Sequence, residues 1–83
     1  MKHELKILKP FFQSVIDGDK KFEVRDNSDR GFQKGDLVRL REVEEGGIVH
    51  VRFTGRNQNV KITYVSSYNQ PRNQVVFAFK LIN

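Results

Sequence analysis

The chain has 83 residues and a net charge of +5; this length provides for one hydrophobic core, so we expect a single domain over residues 1–83. Hydrophobic residues make up 37% and seven residues are Phe, which argues against wholesale disorder. The absence of Cys excludes disulfides, thiolate nucleophiles and cysteine zinc sites. With two distant His residues and no long apolar run, we expect a cytoplasmic protein without metal, cofactor or membrane segment.

The first strand is predicted by residues 3–8, in which apolar and charged residues alternate. His3, Leu5 and Ile7 share the apolar side. His3 therefore either packs in the core against a backbone carbonyl or borders a ligand cleft, and both interpretations stand at this point.

A helix of about two turns is predicted next. Pro10 is compatible with the first turn of this helix, and Gly18 can adopt the left-handed backbone conformation in which helices often end. Its apolar stripe is expected to consist of Phe11, Phe12, Val15 and Ile16.

Further alternation predicts strands at residues 21–25, 37–43, 48–53 and 60–65, and an almost continuous apolar run predicts a last strand, covered on both faces, at 75–82. Polar turns are expected at residues 44–47 and 54–59. By parity we expect Phe22, Val24 and Tyr64 to be buried, and Lys21, Glu23 and Arg25 to form a charged outer face. About six strands and one helix indicate an α+β, mainly β fold, a small closed or nearly closed β-barrel.

The charge excess lies in the second half of the chain. Residues 1–45 hold ten basic and ten acidic residues, whereas residues 46–83 hold five basic residues and no acidic one. The asymmetry predicts a basic surface suited to polyanions, although a solvated surface without a partner explains it equally well. The basic residues expected at the rim of a polyanion site are Arg30, Lys34, Arg52, Arg56 and Arg72.

A cluster of charged residues follows the predicted helix. Residues 18–25 read Gly-Asp-Lys-Lys-Phe-Glu-Val-Arg and contain the pattern G-x-K-x-x-E-x-R. Gly18 permits a sharp bend, and Glu23 and Arg25 project from one strand face roughly 7 Å apart. With Lys20, they can bind a phosphate while accepting a hydrogen bond from a base. The alternative is an exposed Glu–Arg pair beside a helix end.

This motif and its neighbours resemble the ASCH family of PUA-like β-barrels, and more narrowly its short bacterial and phage branch of unknown function. The resemblance rests on the motif and on four other segments that extend it over nearly the whole chain: His3–Leu8, Arg30–Asp36, Thr54–Arg56 and Lys61–Val65. It implies a cleft between the helix and the barrel that binds RNA or a nucleotide-like ligand. It also implies that Lys20, Glu23 and Arg25 line this cleft.

Two enzyme branches of the family bear on the question of chemistry. One branch hydrolyses acetylated cytidine with the motif lysine, a threonine at the position of Glu23 and a glutamate from a helical insertion that this chain lacks. Another branch has ribonuclease activity, which usually needs a base and an acid such as His. His3 and His50 are the two His residues here, and His50 shares an outward parity with Arg52.

Three functions follow as expectations. The first is a non-catalytic module that binds RNA or a nucleotide-like anion through Lys20, Glu23 and Arg25, bordered by Lys21, His3 and the basic rim, with Phe32 and Tyr68 as candidates for base stacking. Phe32 can equally cap the barrel as a buried plug.

The second expected function is a small metal-independent hydrolase acting on a modified nucleoside or RNA, with Lys20 as nucleophile or base and Glu23 as proton carrier. The third is a protein-interaction module. We expect a monomer.

Overall fold

The computed structural model describes residues 1–28, 30–46 and 51–82. Within these ranges the elements are, in chain order, β1 (Lys2–Leu8), α1 (Lys9–Ile16), β2 (Phe22–Asp26), β3 (Leu37–Glu45), β4 (Val51–Ser66) and β5 (Gln74–Ile82). The predicted α+β, mainly β class is confirmed. The predicted turn residue Gly47, the start of the strand expected at residues 48–53, and His50 lie outside the described residues.

One curled sheet contains all five strands, in the order β1-β3-β4-β5-β2. β1 pairs in parallel with β3, and the other neighbours are antiparallel. β1 and β2 are the two edges, and side chains bridge the gap between them. Arg25 Nη2 of β2 donates to the Lys6 carbonyl over 2.8 Å, and Arg30 Nη1 donates to the Glu4 carbonyl over 3.1 Å. The two arginines thus occupy edge carbonyls of β1 that another strand would otherwise pair with.

β4 runs without interruption for 16 residues, so the turn predicted at residues 54–59 is wrong. Arg41 of β3 pairs with Asn57 and Val43 pairs with Phe53. Three residues of β4 therefore oppose one residue of β3 between these pairs, and the excess is absorbed in a bulge where Gly55 has φ +93°. The described part of the chain consequently has five strands instead of about six.

A second irregularity explains why Tyr64 is 65% exposed although its parity predicts burial. Ile62 pairs with Phe79, but Tyr64 pairs with Ala78, so β4 has one residue more than β5 at this point. An extra residue reverses the alternation, because side chains have a period of two. Ile62 faces the core and Tyr64 faces outward.

The core lies between the concave face of the sheet and α1. As predicted, Leu5 and Ile7 of β1 and Phe12 and Val15 of α1 are buried in it. The remaining members of the cluster come from the other strands and one loop: Phe32, Val38, Leu40, Val60, Ile62, Val75, Phe77 and Phe79. Among the described residues α1 is the single helix, and its eight residues are well below the roughly 20 that a membrane-spanning helix needs.

Candidate functional site

The end of α1 positions Lys20. The Gly18 N–H donates to the Val15 carbonyl and the Asp19 N–H donates to the Ser14 carbonyl, which is the Schellman pattern of helix termination. Gly18 has φ +82°, the left-handed conformation that this pattern requires and that glycine adopts without strain. The Lys20 N–H also donates to the Ser14 carbonyl, so the chain folds back over the last turn before β2 begins.

The prediction of which face of β2 is buried is wrong, because the face that carries Glu23 points toward the core. Glu23 is 5% exposed, whereas Phe22 and Val24 are 48% and 43% exposed. The reason is the register with β5, in which Glu23 is opposite Phe77 and Arg25 is opposite Val75. Residues directly opposite each other lie on the same face, and Phe77 and Val75 are core residues. Glu23 and Arg25 therefore point into the concave side of the sheet.

Lys20, Glu23 and Arg25 converge, as the motif predicts. Lys20 Nζ lies 3.1 Å from Glu23 Oε2, and Arg25 Nη2 lies 3.3 Å from Glu23 Oε1. The Glu23 side chain is 7% exposed, but those of Lys20 and Arg25 are 19% and 27% exposed. The carboxylate thus holds two cations that both retain contact with solvent.

These side chains line an open groove of about 390 Å³ between β1, α1 and β2. Its walls are formed by Lys6, Ile7, Leu8, Phe11, Lys20, Glu23, Val24 and Arg25. Lys20, Arg25 and Glu23 give these walls a net charge of +1, whereas the Lys6 ammonium lies 5.9 Å from the ring centroid of Phe53, which does not line the groove. The volume is in the range of small-ligand sites, roughly 300–1,000 Å³. The geometry can accommodate an anionic group.

Both motif cations have donors to spare. Lys20 Nζ uses one ammonium proton on Glu23 and one on the Phe22 carbonyl, and an ammonium has three. Arg25 makes its hydrogen bonds to Lys6 and Glu23 through Nη2, which leaves Nη1 and Nε without a partner among the described residues. The groove therefore offers unused charged donors, and these favour phosphate or carboxylate oxygens.

The prediction that Phe11 belongs to the apolar stripe of α1 is wrong, because Phe11 is an exposed aromatic ring at the groove. Phe11 is 53% exposed and lines the groove, and Lys20 Nζ lies 5.9 Å from its ring centroid. The i, i+3, i+4 spacing of Phe12, Val15 and Ile16 completes an apolar stripe without Phe11. Adjacent helical residues are about 100° apart, so Phe11 points away from the centre of this stripe. An aromatic residue that the stripe does not need was the sequence feature that could have indicated an exposed ring.

His3 and Phe32 lie in the core, away from the groove. His3 is 6% exposed, and its Nε2 is 2.9 Å from Asp36 Oδ2, so the packed interpretation is confirmed with a carboxylate in place of a backbone carbonyl. Phe32 is 4% exposed and packs between His3 and Phe77 in tilted arrangements, with ring centroids 4.7 and 4.9 Å away. Phe32 is thus the plug and is not available for base stacking.

The other predicted residues are spread around the molecule. Arg30 lines a cavity of about 350 Å³ that adjoins the groove at Arg25. Lys21 and Lys34 line two further hollows, each shared with Lys80. Tyr68 is 84% exposed in a loop. The remaining rim candidates are exposed and do not line the groove. Arg52 lies beside Glu44, Arg56 lies beside Gln13, and Arg72 lies near Pro71.

A second polar cluster lies beneath α1, and no sequence signal singled it out. Glu42 of β3 is 1% exposed and accepts a hydrogen bond from Thr54 Oγ1 over 2.6 Å. Its Oε2 has no hydrogen-bond partner among the described residues, and Arg56 Nη1 lies 3.7 Å away. The Arg56 guanidinium also lies 4.9 Å from the centroid of the Phe12 ring. Arg56 is therefore the cation that compensates a buried carboxylate.

Replacing Arg56 with alanine should lower the free energy of unfolding by about 1–3 kcal/mol, because a buried carboxylate loses its cation and Phe12 loses a cation–π contact. Urea unfolding of Arg56→Ala measures this, and Arg72→Ala is the matched control, since Arg72 is exposed in a loop. Equal stability of the two variants would contradict a stabilising role of Arg56.

Comparison with known proteins gives two matches. Residues 2–79 match a family described as a domain of unknown function (DUF3850). The chain is also 36% identical over 64 residues to a protein of Escherichia phage P2 described as an uncharacterized 12.9 kDa protein in GpA 3'region. That alignment covers 77% of this chain and 53% of the phage protein, so the chain spans about half the length of this relative.

Proposed function

The chain belongs to the DUF3850 family, and we propose that it is a binding module for RNA or a nucleotide-like anion that holds its ligand in the groove between β1, α1 and β2. One observation carries the proposal: Lys20 and Arg25 are fixed by one buried carboxylate on the wall of an open groove and retain free donors.

Each wall has a separate task in this proposal. A phosphate takes the free donors of Lys20 and Arg25, because charge-assisted hydrogen bonds are about twice as strong as neutral ones. A base stacks on the exposed face of Phe11, a contact that every base can make. Glu23 holds the two cations in place and offers its carboxylate to an exocyclic amine of the base. The proposed relationship to the ASCH family predicts the same position for the ligand.

The test is the binding of a labelled single-stranded RNA oligomer at about 50 mM and about 200 mM salt. Two or three neutralised phosphates give a slope of log affinity against log salt of about −1.4 to −2.1. Arg25→Ala should weaken binding by about 1–3 kcal/mol, roughly 5- to 150-fold in Kd, and should reduce the slope by about 0.7.

Two further variants separate loss of the ligand contact from loss of structure and from loss of net charge. Arg25 also bridges β1 and β2, so Lys20→Ala is measured as well, since the hydrogen-bond and ion-pair partners of the Lys20 ammonium within the described residues are Phe22 and Glu23, on the β2 side of that gap. Arg72→Ala removes the same charge from a loop away from the groove and should change Kd by less than about twofold. Absence of RNA binding at low salt, or equal effects of all three variants, would overturn the proposal.

Hydrolysis is the second candidate, and the 3.1 Å pair of Lys20 Nζ and Glu23 Oε2 favours it. Lys20 must first pass an ammonium proton to the Glu23 carboxylate, and the neutral amine that results can act as base or nucleophile. Incubation of the pure protein with modified nucleosides and RNA without added metal tests this function. Turnover that Lys20→Ala abolishes would support it, and intact substrate throughout would reject it.

A further inference from the structure

The outer face of the sheet carries an aromatic ring flanked by cations. Phe53 of β4 is 46% exposed and is paired with Val43 of β3. Val43 is 2% exposed yet lies outside the main core cluster. Since paired residues share a face, Phe53 and Val43 form a small apolar island on the convex side.

A guanidinium covers one side of this ring. Arg41 Cζ lies 3.9 Å from the Phe53 ring centroid, and Lys6 Nζ lies 5.9 Å from it. The Arg41 side chain is 41% exposed, so it remains partly accessible to solvent beside the ring. RNA-binding proteins stack bases on both aromatic rings and guanidinium planes. We call Arg41 and Phe53 the outer platform.

The charge of this region favours a polyanion. Glu4 lies among Lys6, Arg39 and Arg41, and its carboxylate is 3.7 Å from the Arg39 guanidinium and 3.6 Å from that of Arg41. These four side chains therefore carry a net charge of +2. A protein surface of this charge attracts phosphates and repels basic partners.

Lys6 connects the outer platform with the groove. It lines the groove, and its ammonium faces Phe53 on the convex side. Lys6 is paired with Arg41, so the cations follow each other from β1 to β3. The distance from β1 to β4 is two strand spacings, roughly 10 Å, which about two or three nucleotides cover.

We infer that a single-stranded RNA leaves the groove over Lys6 and stacks a further base on the outer platform. This inference rests on the proposed function, since it extends the ligand of the same groove. It assigns the protein an extended RNA site, in which Lys20 and Arg25 hold one phosphate and Arg41 and Phe53 hold a base several nucleotides away.

Oligomer length separates the two sites experimentally. Labelled RNAs from dinucleotides to decamers are titrated against the unmodified protein, Phe53→Ala, Phe53→Leu and Arg41→Gln. We expect Phe53→Ala to weaken decamer binding by roughly 5- to 150-fold and to leave dinucleotide binding unchanged. Phe53→Leu still covers Val43 but has no aromatic face, so it should lose affinity as well. Tyr64→Ala, which removes an exposed ring elsewhere on the outer surface, is the control without effect.

The outcomes distinguish the two proposals. Decamer affinity that is unchanged in Phe53→Ala and Arg41→Gln overturns the outer platform while leaving the groove untouched. Full affinity of Phe53→Leu also overturns it, because packing alone then accounts for Phe53. If Lys20→Ala binds both lengths normally while Phe53→Ala weakens decamer binding, the proposed groove function and the extended site both fail, and Phe53 belongs to a separate RNA site.

Discussion

Replacing Phe77 with alanine should lower the free energy of unfolding by about 3–5 kcal/mol. Phe77 has no exposed surface and lies at the centre of the core, with the rings of Phe32 and Phe79 at centroid distances of 4.9 and 6.3 Å. Typical stabilities of roughly 0.05–0.15 kcal/mol per residue give this chain about 4–12 kcal/mol in total. The variant should therefore lose about a quarter or more of the total stability, and it unfolds if the total lies at the lower end of this range.

Urea or thermal unfolding followed by circular dichroism measures this loss. Phe22→Ala is the matched control, because Phe22 is 48% exposed on the outer face of β2 and should cost less than about 1 kcal/mol. Phe77 and Phe22 lie on adjacent strands, so the pair compares the two faces of one sheet. Similar losses for the two variants would contradict the assignment of the concave face as the core.

Replacing Asp36 with alanine should lower the free energy of unfolding by about 2–4 kcal/mol, since buried donors lose their acceptor. Asp36 accepts hydrogen bonds from His3 Nε2 over 2.9 Å, the Gln33 N–H over 3.0 Å and the Met1 amino group over 3.1 Å. His3 is 6% exposed, so its Nε2 loses a buried hydrogen-bond partner in this variant. Asp26→Ala, at the exposed end of β2, is the control with a small expected effect.

The same carboxyl makes stability depend on pH. Burial raises the pKa of Asp36, but hydrogen bonds from His3, the amino terminus and Gln33 outweigh burial and hold the pKa below its ordinary value of 3.8. A carboxyl with a lowered folded-state pKa contributes stability that is complete above 3.8 and disappears as the pH falls through the lower folded value. Asp36→Asn should therefore lose less stability than the unmodified protein on acidification below about pH 4.

Unfolding midpoints of both proteins, measured from neutral to acidic pH, decide this prediction. Asp26 also has a lowered pKa, caused by hydrogen bonds from Ser28, so Asp26→Asn shows how much of the acid sensitivity the exposed end of β2 contributes. Parallel curves for Asp36→Asn and the unmodified protein would contradict the assignment to Asp36.

Local patterns were sufficient for several elements. The alternation of His3, Leu5 and Ile7 defined the buried face of β1, because the pattern has a single apolar side. Pro10 and Gly18 marked the two ends of α1. Proline is compatible with the first turn of a helix, and glycine adopts the left-handed conformation in which this helix ends.

The candidate site was only partly predictable. The motif spacing brought Lys20, Glu23 and Arg25 together, because a bend followed by strand residues two apart leaves little other choice. The sequence did not indicate Phe11 as part of the groove, nor did it separate the Phe53 ring from a core residue. Both rings are exposed because of what packs beside them, which depends on residues distant in the chain.

By itself, then, the sequence determined the mainly β class, the helix between Pro10 and Gly18, and the convergence of the charged motif, all of which follow from short-range spacing. Only the tertiary structure decided that Glu23 faces inward while Phe22 and Val24 face outward. Alternation defines two faces of a strand, but it does not say which one is buried when one face is apolar and the other is needed to hold two cations. The register that sets Glu23 opposite Phe77 made that choice.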